Sequence, residues 1–214
     1  MTLEEYFGDW LKVLKGKEFD SILSSISRKY SAGGCCPSYH NIFKAFHLCD
    51  YNSLKSVWVG MDPYPNPEYA TGLLFGNPEG KTAPSLRIIK DCIYRSAGVE
   101  VNNTLEGIAK EGVLLLNFAL TTECYKTGTD TLMWVPFITS LMKRLSEINS
   151  GIDYLLFGRC AAMLIPSING GTNTILREKH PAYYSRAKMD MPTDIFDTFS
   201  KDMLERYGKK FNWK

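Results

Sequence analysis

The sequence predicts an α/β protein: a three-layer α/β/α arrangement around a central, mostly parallel four-stranded sheet. Three observations carry this expectation. Short apolar runs alternate with stretches of helical periodicity, which is the pattern of strands joined by crossover helices. One run, Val113-Leu114-Leu115-Leu116, is apolar throughout, as a strand covered on both faces must be. Polar residues fall where each run ends, and ligands of open parallel sheets bind outside the carboxyl ends of the strands.

In chain order, residues 1–30 carry Leu3, Tyr6, Phe7, Trp10, Leu11 and Leu14 at three-and-four spacing, which predicts helix. Gly33-Gly34 breaks that pattern, and Cys36-Pro37-Ser38 opens a second helical stretch with Ile42, Phe43 and Phe46 on one side. Residues 56–61 form the first β-rich run. A long loop leads to a helical stripe of Leu86, Ile89 and Ile93 over 85–94, then to a short helix near 105–110 and the apolar strand after Gly112. Trp134, Phe137, Ile138, Leu141, Met142 and Leu145 mark a further helix. Residues 154–157 are the third strand, 161–164 a helix, 172–176 the fourth strand, and about 194–207 the last helix. With no internal repeat, low-complexity tract or linker, residues 1–214 read as one domain, a helical segment of about 1–50 leading into an α/β core of about 55–214.

A chain of 214 residues with 44% hydrophobic and 13% aromatic residues has ample material for a buried core. Lys and Arg number 25 against 23 for Asp and Glu, so any grip on nucleic acid must come from local placement of charge. The six cysteines contain no Cys-x-x-Cys pair, and His40, His47 and His180 complete no metal-ligand spacing, so no metal site is expected. The first residues lack a basic region followed by an apolar one, and no stretch approaches the ~18 apolar residues of a membrane span. The expectation is a soluble intracellular monomer, not secreted and with no membrane partner.

The strand ends then draw attention: Asp62 after the first, Asn117 after the second, Gly158-Arg159 after the third, His180 after the fourth. Singly, each has an ordinary structural reading, an Asp before Pro as turn former, an Asn as cap, a His satisfying nearby backbone. Together they converge on one crevice.

At this point the chain resembles a family. Gly60-Met61-Asp62-Pro63-Tyr64-Pro65, Gly72-Leu73-Leu74-Phe75, Gly112 to Asn117 with Leu120-Thr121, and His180-Pro181-Ala182-Tyr183-Tyr184-Ser185 are similar in order and spacing to the motifs of family-1 uracil-DNA glycosylases. The likeness runs from about Pro37 to Trp213. It implies a monofunctional enzyme that flips deoxyuridine out of DNA, hydrolyses its N-glycosidic bond and leaves an abasic site in base excision repair, without metal or organic cofactor. Asp62 would be the catalytic carboxylate that orients water and stabilises the positive sugar, and His180 the donor to uracil O2. Asn117 would read N3–H and O4, Phe75 would stack on the base, Tyr64 would close off C5 against thymine, and Met61 would line the base pocket. For DNA, the implied contacts are Pro65, Pro84 and Ser85 at a helix start, Gly158 and Arg159, and Ser185, Arg186 and Lys188, with Tyr184 in the place of the family's leucine wedge.

Departures cluster in the DNA grip. Met61 and Pro65 stand where the usual motif has Gln and His, as a proline does in poxvirus members; Arg159 replaces a serine, Lys188 an arginine, and Tyr125, Thr129 and Asp130 fill a stretch where histidines are typical. The implied partners are uracil-containing DNA, single- or double-stranded, a proteinaceous glycosylase inhibitor, and replication proteins. Two rival readings follow: a DNA-binding replication accessory protein using exposed aromatics among Tyr183, Tyr184, Phe211 and Trp213, and a glycosylase for another modified pyrimidine. A bacterial or phage origin would place the protein in the cytoplasm, a eukaryotic host in the nucleus.

Overall fold

The computed structural model describes residues 2–214. The N-terminal segment is not one helix but α1 (Leu3–Phe7), a 3₁₀ turn (Gly8–Lys12) and α2 (Lys17–Ala32). Thr2 and Glu5 start α1 with reciprocal side-chain-to-backbone bonds of 3.1 and 2.8 Å, a capping box. The next stretch opens with a short strand, β1 (Cys35–Cys36), and another 3₁₀ turn before α3 (Lys44–Leu48), so its helix begins later than the periodicity predicts.

The core follows as β2 (Ser56–Gly60), α4 (Pro84–Ala97), α5 (Glu106–Lys110) and β3 (Val113–Asn117). Then come β4 (Thr122–Glu123), α6 (Thr131–Ile148), β5 (Asp153–Phe157) and α7 (Gly158–Ala162). The chain closes with β6 (Thr174–Glu178), α8 (Pro181–Ala187) and α9 (Asp194–Tyr207).

Four strands form a parallel sheet in the order β3-β2-β5-β6, while β1 and β4 make a separate antiparallel pair. Every residue of β2, β3 and β5 is buried, which requires cover on both faces; edge strand β6 is only half-buried. Trp58 of β2 packs on Phe196 and Phe199 of α9, ring centroids 5.2 and 5.7 Å apart, and on Trp213. Trp213 is therefore core, and Phe211 packs on Phe199 and Trp213 rather than offering itself to a partner.

Three elements differ from their expected limits. The fourth strand lies two residues later, at Thr174–Glu178, and α7 starts directly at Gly158 without a loop. Residues 181–187, which include the implied DNA contacts Tyr184, Ser185 and Arg186 and for which no helix is predicted, coil into α8, whose start suits Pro181 because the first helical turn needs no N–H from it. Among the described residues no helix is long and apolar enough to cross a membrane.

Candidate active site

Strand register sets the site. Gly60 pairs with Asn117, Val59 with Leu156 and Phe157 with Glu178, so the four strand ends lie in one row. From β2 the chain passes to β3 on one side and later to β5 on the other, which makes the β2/β5 boundary the switch point where loops part and leave a crevice. That crevice, of ≈ 780 Å³, is where Asp62, Asn117 and His180 meet, although 118 residues separate the first from the last.

Asp62 sits just beyond β2, half-buried, with Oδ2 accepting the Gly128 N–H at 2.6 Å. Burial raises its pKa above the ordinary carboxylate value; the Gly128 bond opposes this, and the charge of Asp130 adds to it. Among the described residues no cation pairs with Asp62, so its charge acts on the crevice.

His180 is the N-cap of α8, and its Nδ1 accepts the Ala182 N–H at 3.2 Å. An imidazole that accepts at Nδ1 carries its proton at Nε2. Burial, with Arg186 nearby, lowers its pKa to about 4, so at neutral pH the ring is an uncharged donor. Gly158 makes its approach possible: at φ +91° it adopts a conformation that favours glycine, and a Cβ there would lie 2.9 Å from the His180 Cβ. The sequence reading gave Gly158 to DNA; here its lack of a side chain serves His180.

Asn117 is buried at the end of β3, and among the described residues its amide has no hydrogen-bond partner, leaving donor and acceptor for a ligand. Beside it, a side chain on Gly60 would strike Leu74 at 2.3 Å and crowd Asn117 Oδ1 at 3.3 Å. Phe75 is held at φ +59°, a conformation costing a non-glycine residue about 1–3 kcal/mol, between Phe157 and His180 at 5.4 and 5.6 Å. The Tyr64 hydroxyl donates to the Phe75 carbonyl at 3.3 Å, fixing one ring against the backbone of the other. Met61 and Pro65 line the same space.

At the rim, Ser85 lines the crevice near the start of α4, whose N-cap Ala83 provides no side-chain bond to the first turn. Arg159 and Arg186 also face the crevice; Pro84, Ser185 and Lys188 do not line it. Tyr184, which the sequence places at the family's wedge position, points into the protein. Tyr184 is 5% exposed, and its hydroxyl donates to Glu178 at 2.5 Å. Successive helix residues point about 100° apart, so when α8 turns Tyr184 inward, Tyr183 turns out. Tyr183 is 39% exposed, lines the crevice, and lies 4.3 Å beneath the Lys179 ammonium. Sequence reasoning missed Lys179 as a rim cation, although Arg177 and Lys179 flank the strand end, and it missed the Gly128 N–H, for which a backbone donor leaves no signal.

Residues 46–204 match the family model described as the Uracil DNA glycosylase superfamily. The uracil-DNA glycosylase of Coxiella burnetii is 35% identical over 200 residues, covering 91% of this chain and 87% of that protein. The enzyme of that name from Lactobacillus helveticus is 34% identical over 193 residues, 86% and 83% of the two chains. Among solved structures, a mimivirus UNG variant, Y322L in complex with UGI, matches with a TM-score of 0.83 at 20% identity, over 100% of this chain and 88% of that one, which speaks for the fold. The chain belongs to the uracil DNA glycosylase superfamily. It is accordingly an enzyme, a DNA glycosylase that hydrolyses N-glycosyl bonds.

Proposed function

We propose that this chain removes uracil from DNA by drawing the deoxyuridine into the crevice and cleaving the bond between base and sugar, leaving an abasic site. The observation that carries the reading is the tautomer of His180: with Nδ1 occupied by Ala182 N–H, a neutral ring presents Nε2–H to a crevice shared with the Asn117 amide, unpartnered among the described residues, and the Asp62 carboxylate, which has no cation among them.

The Asn117 amide accepts from uracil N3–H and donates to O4, while cytosine offers the opposite pattern; two mispaired buried groups, at roughly 1–3 kcal/mol each, give strong discrimination. Phe75 stacks on the ring, and Tyr64 occupies the space a thymine methyl needs. As the bond breaks, negative charge gathers on the leaving base and positive charge on the sugar. His180 Nε2–H donates to O2 of that anion, and Asp62, in its ionised form, faces the sugar and orients the attacking water, whose proton it accepts. A partly desolvated carboxylate without a counter-cation is suited to this, because its field is not spent on a neighbour.

Rim residues Ser85, Arg159, Lys179 and Arg186 hold the DNA backbone, and Tyr183 enters the gap left by the flipped nucleotide. A protein inhibitor covering the same crevice is a further partner of this reading. The test uses labelled single- and double-stranded oligonucleotides carrying uracil, thymine, cytosine or 5-hydroxymethyluracil, followed by alkali cleavage. Strand breaks only at uracil are expected; no release from any of these bases would overturn the proposal.

A further inference from the structure

Asp130 stands at the N-cap of the 18-residue helix α6, where an Asp ordinarily bonds its own helix, yet it makes no capping bond. Its side chain turns inward and is 4% exposed. Oδ2 accepts from the Thr121 hydroxyl at 2.5 Å, Oδ1 from the Thr129 hydroxyl at 3.0 Å, and Oδ1 lies 2.9 Å from Lys29 Nζ of α2. The Thr121 hydroxyl in turn accepts from Trp134 Nε1 at 2.8 Å, and that indole is wholly buried. The network joins the segment after β3, helix α2 and the core to the loop before α6. Two residues upstream of Asp130, the same loop supplies the Gly128 N–H to Asp62, and its Gly128 carbonyl accepts from Thr131 Oγ1 at 3.1 Å.

A buried carboxylate is costly, and for stability alone an apolar group of similar shape serves as well. We propose that Asp130 is a positioning residue: anchored by Thr121, Thr129 and Lys29, it holds the 128–130 loop so that the Gly128 N–H meets the Asp62 carboxylate, while Lys29 balances the second negative charge this places nearby. The inference rests on Asp62 being the carboxylate of the proposed reaction. The charged and titratable groups that bear on Asp62 are Asp130 in this loop, Cys160 with its neighbour Arg159 on α7, and His180 at the start of α8. Asp130 raises the pKa of Asp62 by its charge and lowers it through the bond it positions, so substitutions must separate the two effects.

Asp130→Asn and Asp130→Ala remove the charge equally, but only the asparagine keeps an acceptor for Thr121. Two readouts apply: single-turnover uracil release against pH, and the titration of the Asp62 carboxyl by ¹³C NMR in DNA-free protein. The alanine variant is expected to release uracil about 10–100-fold more slowly than the asparagine variant, with its KM altered by less than about threefold. Its Asp62 is expected to titrate about one pH unit higher, because a hydrogen bond to the charged form is lost. Equal rates and equal Asp62 titrations in the two variants overturn the proposal, whatever happens to the melting temperature. If the alanine variant does not fold, Thr129→Val, which deletes one exposed hydroxyl, takes its place: an upward movement of the Asp62 titration supports the proposal and an unmoved one overturns it. Wild-type protein that releases no uracil sinks the proposed function, while the Asp62 titration still decides the role of the loop.

Discussion

Two aspartates stand at opposite ends of one parallel sheet. Asp153 opens β5, level with Ser56 and Thr174, fully buried, and Arg206 of α9 reaches its Oδ1 at 2.6 Å. Asp62 follows the other end of β2 and, among the described residues, has one backbone N–H and no cation. Burial raises both pKa values, that of Asp153 to about 6 even with Arg206 opposing. The difference lies in where the charge is directed. The first is tied to a guanidinium and binds the terminal helix to the sheet; the second is left for whatever enters the crevice.

Removing each charge should give opposite results. Asp62→Asn is expected to slow uracil release about 10³-fold while the melting temperature stays at or above that of the wild type, since an uncompensated buried charge is gone. At the other end, Arg206→Met leaves Asp153 buried without a cation and is expected to cost about 3 kcal/mol in denaturant unfolding with the single-turnover rate unchanged. A fall in rate with retained stability there would break the division between the two ends.

The rim offers a smaller contrast. Tyr183→Ala should lower release from duplex DNA on the order of tenfold, through lost stacking, and affect single-stranded substrate less. Tyr184→Phe, which loses only the bond to Glu178, should leave the duplex preference as it was. The reverse pattern would restore the wedge to Tyr184.

The smallest expected effect is on pH dependence. His180 has an ordinary pKa of 6.5 and a folded value of about 4, so between those values the unfolded chain binds more protons than the folded one. The stability linked to its neutral form is present above pH 6.5 and is lost as pH falls toward 4. Asp153 acts in the other direction, its contribution present below pH 3.8 and lost as pH rises through about 6. His180→Leu should therefore flatten the rise of melting temperature from pH 4 to 6.5, and an unaltered slope would show that the ring is not neutral in the fold.

Much of this organisation is readable from the chain alone. Phe196, Phe199 and Met203 announce α9 because each lies about one helical turn from the next, with Ile195 beside the first, and α9 occupies the residues expected. Asp62, Asn117 and His180 are legible as candidates because each follows or ends a recognisable strand. The two tyrosines of α8 are not: adjacent and chemically alike, they are told apart only by packing that buries Tyr184 against Glu178. Nor is the hold on Asp62, which comes from a backbone N–H that any residue but proline possesses, anchored through a lysine about a hundred positions before it.

The alternation of strands and helices, and the kinds of side chain waiting at the strand ends, are written in the chain itself, since periodicity and local turn chemistry act over a few residues. Packing of the folded chain settles which tyrosine faces the crevice, why Gly158 must lack a side chain, and what holds the Asp62 carboxylate. Those depend on contacts between segments far apart in the chain, and such contacts exist only once the sheet has set its register.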